Sequence, residues 1–177
     1  LVQYAEEKYP NKVQFSITTN GTLLNKNRID FLSNHNIIPL LSIDGAKETQ
    51  DFNRPQRNGE GSFDLVEANI DYLLDKFPNT TFRATLYQPT VKNLYENYLY
   101  ATKKGFKNIF ICPNAREKWT EEHIKELEIE IGKIFADRIL CYLNDYNPIG
   151  CTLIDKAFCD ILIHDLQIYK NDFNNLN

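Results

Sequence analysis

Apolar and polar positions along this chain change period in a regular order. Leu1 to Tyr9 already repeats with helical spacing, which predicts an opening helix. Pro10-Asn11-Lys12 makes a turn, after which Val13, Phe15 and Ile17 alternate as a strand. Thr18-Thr19-Asn20-Gly21-Thr22 predicts a tight turn in which Gly21 takes positive φ. A short helix over about Asn25 to Asn34 carries Ile29, Phe31 and Leu32. Ile37 to Ile43 is nearly all apolar, as in a parallel strand buried on both faces. Ser62 is placed to cap one helix with the stripe Phe63, Val66, Ile70, Leu73 and Leu74. Thr81 to Tyr87 predicts a third strand, Leu94 to Lys104 a helix stopped by Gly105, and Asn108 to Cys112 a fourth strand. Thr120 with Glu121 and Glu122 opens a long helix bearing Ile124, Leu127, Ile131, Ile134, Arg138 and Cys141 on one side. A last helix is expected over about Leu153 to Tyr169.

Strands alternating with helices at this spacing imply right-handed βαβ units and a parallel sheet. In such folds ligands bind at the C-terminal ends of the strands. Thr19-Asn20, Ser42 to Asp44, Tyr87-Gln88 and Cys112 to Asn114 all fall on that rim. A complete eight-stranded barrel takes roughly 250 residues, so four strands leave either a partial barrel or an open sheet.

Composition narrows the picture a little. The 42% apolar and 25% charged residues describe a soluble, globular chain. A net charge of −4 gives no basic footprint, so nucleic acid is not an expected partner. No apolar run approaches the roughly 18 residues of a membrane span, and no membrane partner is expected. The four cysteines form no C-x-x-C pair, and no stretch resembles a signal peptide, so a reducing, cytoplasmic setting is the default. The chain contains no methionine and opens within a helical pattern, which reads as a piece of a longer protein.

Candidate chemistry concentrates in residues 42–63. A strand runs into Ser42, and a long polar stretch then carries Arg54, Gly59 and Gly61 before a helix starts. Long connections without secondary structure in compact domains are usually functional or disordered, and strongly patterned elements on both sides favour function. A serine at a strand end and an arginine beyond it can grip a carboxylate or phosphate, through a hydroxyl and a planar guanidinium fork.

Thr19-Asn20-Gly21-Thr22-Leu23-Leu24 after one strand, Ser42-Ile43-Asp44-Gly45 after the next, then Asp51-x-x-Arg54 and Gly59-x-Gly61-Ser62-Phe63, together resemble the radical SAM enzymes. Within that family the pattern is similar to the peptide- and protein-modifying branch, with its sulfatase-maturating enzymes and thioether-forming peptide maturases. The resemblance covers about residues 10 to 115. It implies a partial (β/α)6 TIM-like barrel lacking its first strand or strands, with residues 1–115 as the central part of the barrel and 116–177 as a C-terminal helical segment packing on it. It also implies S-adenosylmethionine and a [4Fe–4S] cluster as cofactors, a 5′-deoxyadenosyl radical, and hydrogen abstraction from a peptide or protein substrate. A flavodoxin or ferredoxin would be the electron donor.

On the same resemblance, Ser42 and Arg54 hold the methionyl carboxylate of S-adenosylmethionine, and Asn20 lines the pocket. Asp44 would shape the loop by bonding to backbone amides ahead, and Gln50 stands where relatives often have histidine. The Cys-x-x-x-Cys-x-x-Cys cluster motif and the Gly-Gly-Glu-Pro turn are absent and expected upstream of Leu1, so this chain alone would not cleave the cofactor. No catalytic residue and no metal ligand is assigned.

Other residues have plainer alternatives. Arg54 can also pair with Asp51 or simply solvate the loop, and Ser42 can cap its own turn. Arg83, inside a strand, either pairs with a carboxylate or faces the barrel lumen. Cys112 reads first as a small buried thiol, and Cys141 as core. Cys151 and Cys159 share one side of a helix only if both are helical, and two ligands do not make a metal site. His35, His123 and His164 are scattered, and Tyr95, Tyr98 and Tyr100 read as packing and surface. Two rival functions remain: a non-catalytic α/β binding module that lost the cluster, and a different barrel enzyme for a phosphorylated metabolite. The second predicts glycine-rich phosphate loops on late strands, and Pro113-Asn114-Ala115-Arg116 offers none.

Overall fold

The computed structural model describes residues 1–10, 12–144 and 149–155. Helix α1 (Val2–Lys8) buries no residue. Strand β1 (Phe15–Thr19) is followed by α2 (Lys26–Asn34), whose first turn is capped by the Asn25 side chain accepting from Arg28 N–H. Next come β2 (Ile37–Ser42), α3 (Lys47–Asn53), α4 (Phe63–Glu67) and α5 (Ile70–Lys76). Strand β3 (Thr81–Leu86) leads through a 3-10 helix (Gln88–Asn93) into α6 (Leu94–Lys104). Strand β4 (Asn108–Pro113), α7 (Glu121–Leu143) and a two-residue β5 (Gly150–Cys151) complete the order, with 152–155 helical.

The sheet is parallel throughout, and its spatial order is β1-β2-β3-β4-β5. Doubly wound sheets reverse strand order at a switch point, whereas a barrel wall proceeds strand by strand. The order therefore settles the choice between open sheet and partial barrel in favour of the barrel wall. Burial agrees. Leu41, Phe82 and Ile109 lie on the helix-covered face and are 0%, 0% and 1% exposed. Their strand neighbours Ile38 and Phe110, on the opposite face, are 47% and 39% exposed. Each fully buried Leu, Ile or Phe contributes roughly 1.5–3 kcal/mol of hydrophobic transfer, so the covered face, with Ile70, Leu73, Leu94, Phe106 and Ile134, supplies most of the cohesion.

Several expectations are corrected. Strand β2 is fully buried on one face, while the other is exposed at Ile38, half-buried at Leu40 and buried only at Ser42. The stretch 42–63 is not unstructured, because α3 folds within it and Glu48 in its first turn suits the helix dipole. The helix expected from Ser62 onward is two helices broken at Ala68-Asn69, where Asn69 Nδ2 donates to Leu24 O. Ser62 makes no side-chain cap; Asp51 Oδ1 takes the Phe63 N–H instead, at 2.7 Å. Cys112 is exposed, because β4 places it on the open face, and Cys141 is only half-buried. Ile124 on α7 is 44% exposed. Strand β5 is too short for periodicity to announce it. The helix expected over Leu153 to Tyr169 lies outside the described residues beyond 155, as do Cys159 and His164.

Other expectations hold. Gly105 ends α6 with φ 94°, and Tyr98 is core. Among the described residues, no helix is long and apolar enough to cross a membrane.

Candidate functional site

Beyond the C-terminal ends of β1 and β2 lies a half-open cavity of about 740 Å³. Asn20 and Thr22 line it from the β1 turn, Gln50 and Arg54 from α3, and Ser62 and Leu65 from the start of α4. Gly21 shapes the β1 side: its φ is 77°, and a Cβ there would meet Leu41 Cδ1 at 2.8 Å and Val66 Cγ1 at 2.9 Å. Only glycine gives both the left-handed backbone and the close approach. Asn20 closes the turn through its Oδ1, which accepts from Thr22 N–H and Oγ1–H, and its side chain remains exposed at the cavity.

The far wall is built around Asp44, whose side chain is fully buried. Its Oδ1 accepts from Arg54 Nη2 at 2.9 Å and from the Thr85 N–H of β3, also at 2.9 Å. Arg54 therefore pairs with Asp44, not Asp51, and Asp44 reaches across to β3 in place of the amides ahead of it. Its backbone N–H donates to Gln50 Oε1 at 2.9 Å, and Gln50 Nε2 donates to Ser62 Oγ at 3.0 Å. Gln50 is 1% exposed and straps the two ends of the loop together. Asp51 sits over Gly61, where a Cβ would lie 2.3 Å from its carboxylate. Lys47 bridges Asp51 and Asp64, and its hydrogen bond to Asp64, foremost, raises the ammonium above its ordinary pKa.

From the outside α6 locks this wall. Asn97 Oδ1 accepts from Ala46 N–H at 2.9 Å, and its Nδ2 donates to Thr49 Oγ1 at 3.1 Å. The sequence reading passed over Asn97. The available signal was a polar residue among Leu94, Tyr98 and Ala101 on one helix face, since a buried amide demands partners.

The structure brings Asn20 and Arg54 together on one cavity. Ser42, 8% exposed, ends β2 on the open face and is not among the lining residues. Its strand register partner is Arg83. Arg83 is exposed on that open face, with its guanidinium carbon 6.0 Å from the Phe110 ring centre, and has no ion pair among the described residues. Of the two positions left open for it, the lumen side is the observed one. Tyr98 and Tyr100 lie outside the site: burial, foremost, pushes both phenols above their ordinary pKa, with Asp137 and Glu67 respectively adding to the shift.

Consecutive parallel strands, helices on one side and a polar cavity at the C-terminal rim define a segment of a (β/α) barrel wall. No protein-family model matches the chain. The cysteine-type anaerobic sulfatase-maturating enzyme of Clostridium novyi (strain NT) is 26% identical over 186 aligned residues, covering 91% of this chain and 50% of that protein. The chain thus spans about half the length of this relative. Native anSMEcpe with bound AdoMet and Kp18Cys peptide matches with a TM-score of 0.72 at 23% identity, covering 92% of this chain and 47% of that one. SuiB of Streptococcus suis bound to precursor peptide SuiA matches with a TM-score of 0.56 at 14% identity, over 85% and 34%. The resemblance to radical SAM maturases, first carried by short motifs, extends to the sequence of a sulfatase-maturating relative and to the fold.

Proposed function

We propose that this chain forms the S-adenosylmethionine-binding wall of a radical SAM maturase acting on a peptide or protein. The observation that carries the reading is Arg54, a partly exposed guanidinium on a polar cavity at the strand C-termini, shared with Asn20. The cofactor's methionyl carboxylate would lie against Arg54, and Ser42, whose hydroxyl has no hydrogen-bond partner among the described residues, would reach it from the end of β2, outside the residues that line the cavity. Asn20 would line the same pocket. The relatives solved with AdoMet and with peptides support both the cofactor and the substrate class.

Arg54 keeps free donors for such a ligand: Asp44 engages Nη2, and among the described residues no partner takes Nη1. Bound in this family, the cofactor supplies hydrogen-atom abstraction, and the chain's own part is to hold and orient it. Among the described residues no group of three or more His, Cys, Asp or Glu could hold a metal ion, so they do not supply the ligand set of a [4Fe–4S] cluster. An electron donor of the flavodoxin or ferredoxin kind completes the proposal, in a cytoplasmic setting.

The test is equilibrium binding of S-adenosylmethionine to the full-length protein, prepared without oxygen. Removing Arg54 outright would strand the buried Asp44 carboxylate, a loss of about 3–5 kcal/mol in stability, so Arg54→Lys is the cleaner variant. Ser42→Ala and Arg54→Lys should each weaken binding tenfold or more. Unchanged binding in both overturns the assignment. Tight binding without reductive cleavage or peptide modification would favour the non-catalytic binding module.

A further inference from the structure

The pair of fully buried Asp44 and partly exposed Arg54 is half of a fork. Asp44 Oδ1 meets Arg54 Nη2 at 2.9 Å, while Asp44 Oδ2 and Arg54 Nε are both buried without a hydrogen bond among the described residues. Oδ2 is an acceptor and Nε a donor, and Nε shares with Nη2 the side-on edge of the guanidinium that Asp44 already engages. Orphaned buried polar atoms are rare and call for an account. Here each is the chemical complement of the other, and bringing Nε to Oδ2 would complete a bidentate pair.

The carboxylate in this fork cannot wander. Asp44 Oδ1 is also tied to the Thr85 N–H of β3, and the Asp44 N–H to Gln50. The next residue, Gly45, is pressed against Asn97 so closely that a Cβ would lie 2.0 Å from the amide oxygen. Arg54 itself closes α3, its N–H donating to Gln50 O at 2.9 Å. Both backbones are therefore pinned before any ligand arrives.

We infer that Asp44 is a positioning residue that holds the Nε/Nη2 edge of Arg54, leaving the Nη1/Nη2 end to receive the ligand carboxylate. A guanidinium carries five donors in a rigid plane, so fixing one edge fixes the direction of the other. Asp44 also neutralises much of the charge on Arg54. Recognition then depends on fork geometry more than on bare attraction, and a misaligned guanidinium loses it. This inference rests on the proposed carboxylate site and goes beyond it, because Asp44 itself does not touch the ligand.

The experiment compares S-adenosylmethionine with decarboxylated S-adenosylmethionine, which keeps the adenosine, sulfonium and amine but lacks the carboxylate. Affinities are measured by equilibrium binding on the full-length protein and on Asp44→Asn, Arg54→Lys and the double variant. Asp44→Asn keeps an acceptor for Thr85 N–H but sets an amide donor against Arg54 Nε. It should weaken S-adenosylmethionine about tenfold or more and leave the decarboxylated analogue unchanged. Arg54→Lys in the Asp44→Asn background should add little further loss, since the fork is already misaligned. If Arg54→Lys abolishes the preference for the carboxylate but Asp44→Asn keeps it, Asp44 is only structural and the inference falls. If Arg54→Lys also keeps the preference, the carboxylate site itself is wrong. An Asp44→Asn protein that binds both compounds more weakly by the same factor has lost fold, not positioning, and this too overturns the inference.

Discussion

The amide oxygen of Asn97 occupies the place where a side chain on Gly45 would begin: a Cβ built there would lie 2.0 Å from it. The two residues are far apart in sequence, one just past β2 and the other inside α6. Asn97 cannot retreat, because it also accepts from Ala46 N–H and donates to Thr49. The contact thus fixes the turn that carries Asp44 against the outer helix layer.

Gly45→Ala should therefore cost about 1–3 kcal/mol, the usual range for overpacking a tight contact. Urea titration followed by circular dichroism reads the loss as a lower midpoint at unchanged slope. A variant as stable as the parent would mean that the turn and α6 can part freely.

Gln50 offers a sharper probe of the loop. It accepts from Asp44 N–H and donates to Ser62 Oγ while 1% exposed. Gln50→Met keeps volume but leaves a buried N–H unpaired, a penalty of about 1–3 kcal/mol. Amide hydrogen exchange should then accelerate at Asp44 and in the segment up to Ser62, and much less at Leu73 or Phe106 in the core. Uniform exchange across the chain would contradict the strap.

Alkali should act through two tyrosines. Burial raises the Tyr98 and Tyr100 phenols above the ordinary value of 10.0, so the folded state retains protons that the unfolded chain gives up. Stability from this source is complete below about pH 10 and falls as pH rises above it, because the unfolded state then binds fewer protons. In an ultraviolet tyrosinate titration, Tyr98 and Tyr100 should ionise late, only with loss of structure. Comparison with Tyr98→Phe and Tyr100→Phe assigns the late step. Early ionisation of both would show that neither phenol is shielded.

The periodic part of the fold was legible because hydrophobic spacing reports which face an element buries. Strands β1 to β4, the helices α2, α6 and α7, and the Gly105 stop all carry that signal locally. The candidate site could be proposed only as a list. Ser42, Arg54 and Asn20 stood on the rim by position, but their mutual placement could not be read. Whether Arg54 pairs with Asp44 or Asp51 depends on how a helix turns within residues 42–63, and periodicity is weak in a seven-residue polar helix.

By itself, then, the sequence determined the alternation of strands and helices, the rim on which a ligand would bind, and the family its motifs resemble. The tertiary structure alone decided that strand order is sequential, that one sheet face is open among the described residues, and that Arg54 is held by a buried carboxylate tied to β3. Local patterns encode burial, because hydrophobic periodicity is a property of neighbouring residues. Pairings such as Asp44 with Thr85, or Gly45 with Asn97, join residues brought together only when the strands pair and the helices dock. No short stretch of sequence carries that information.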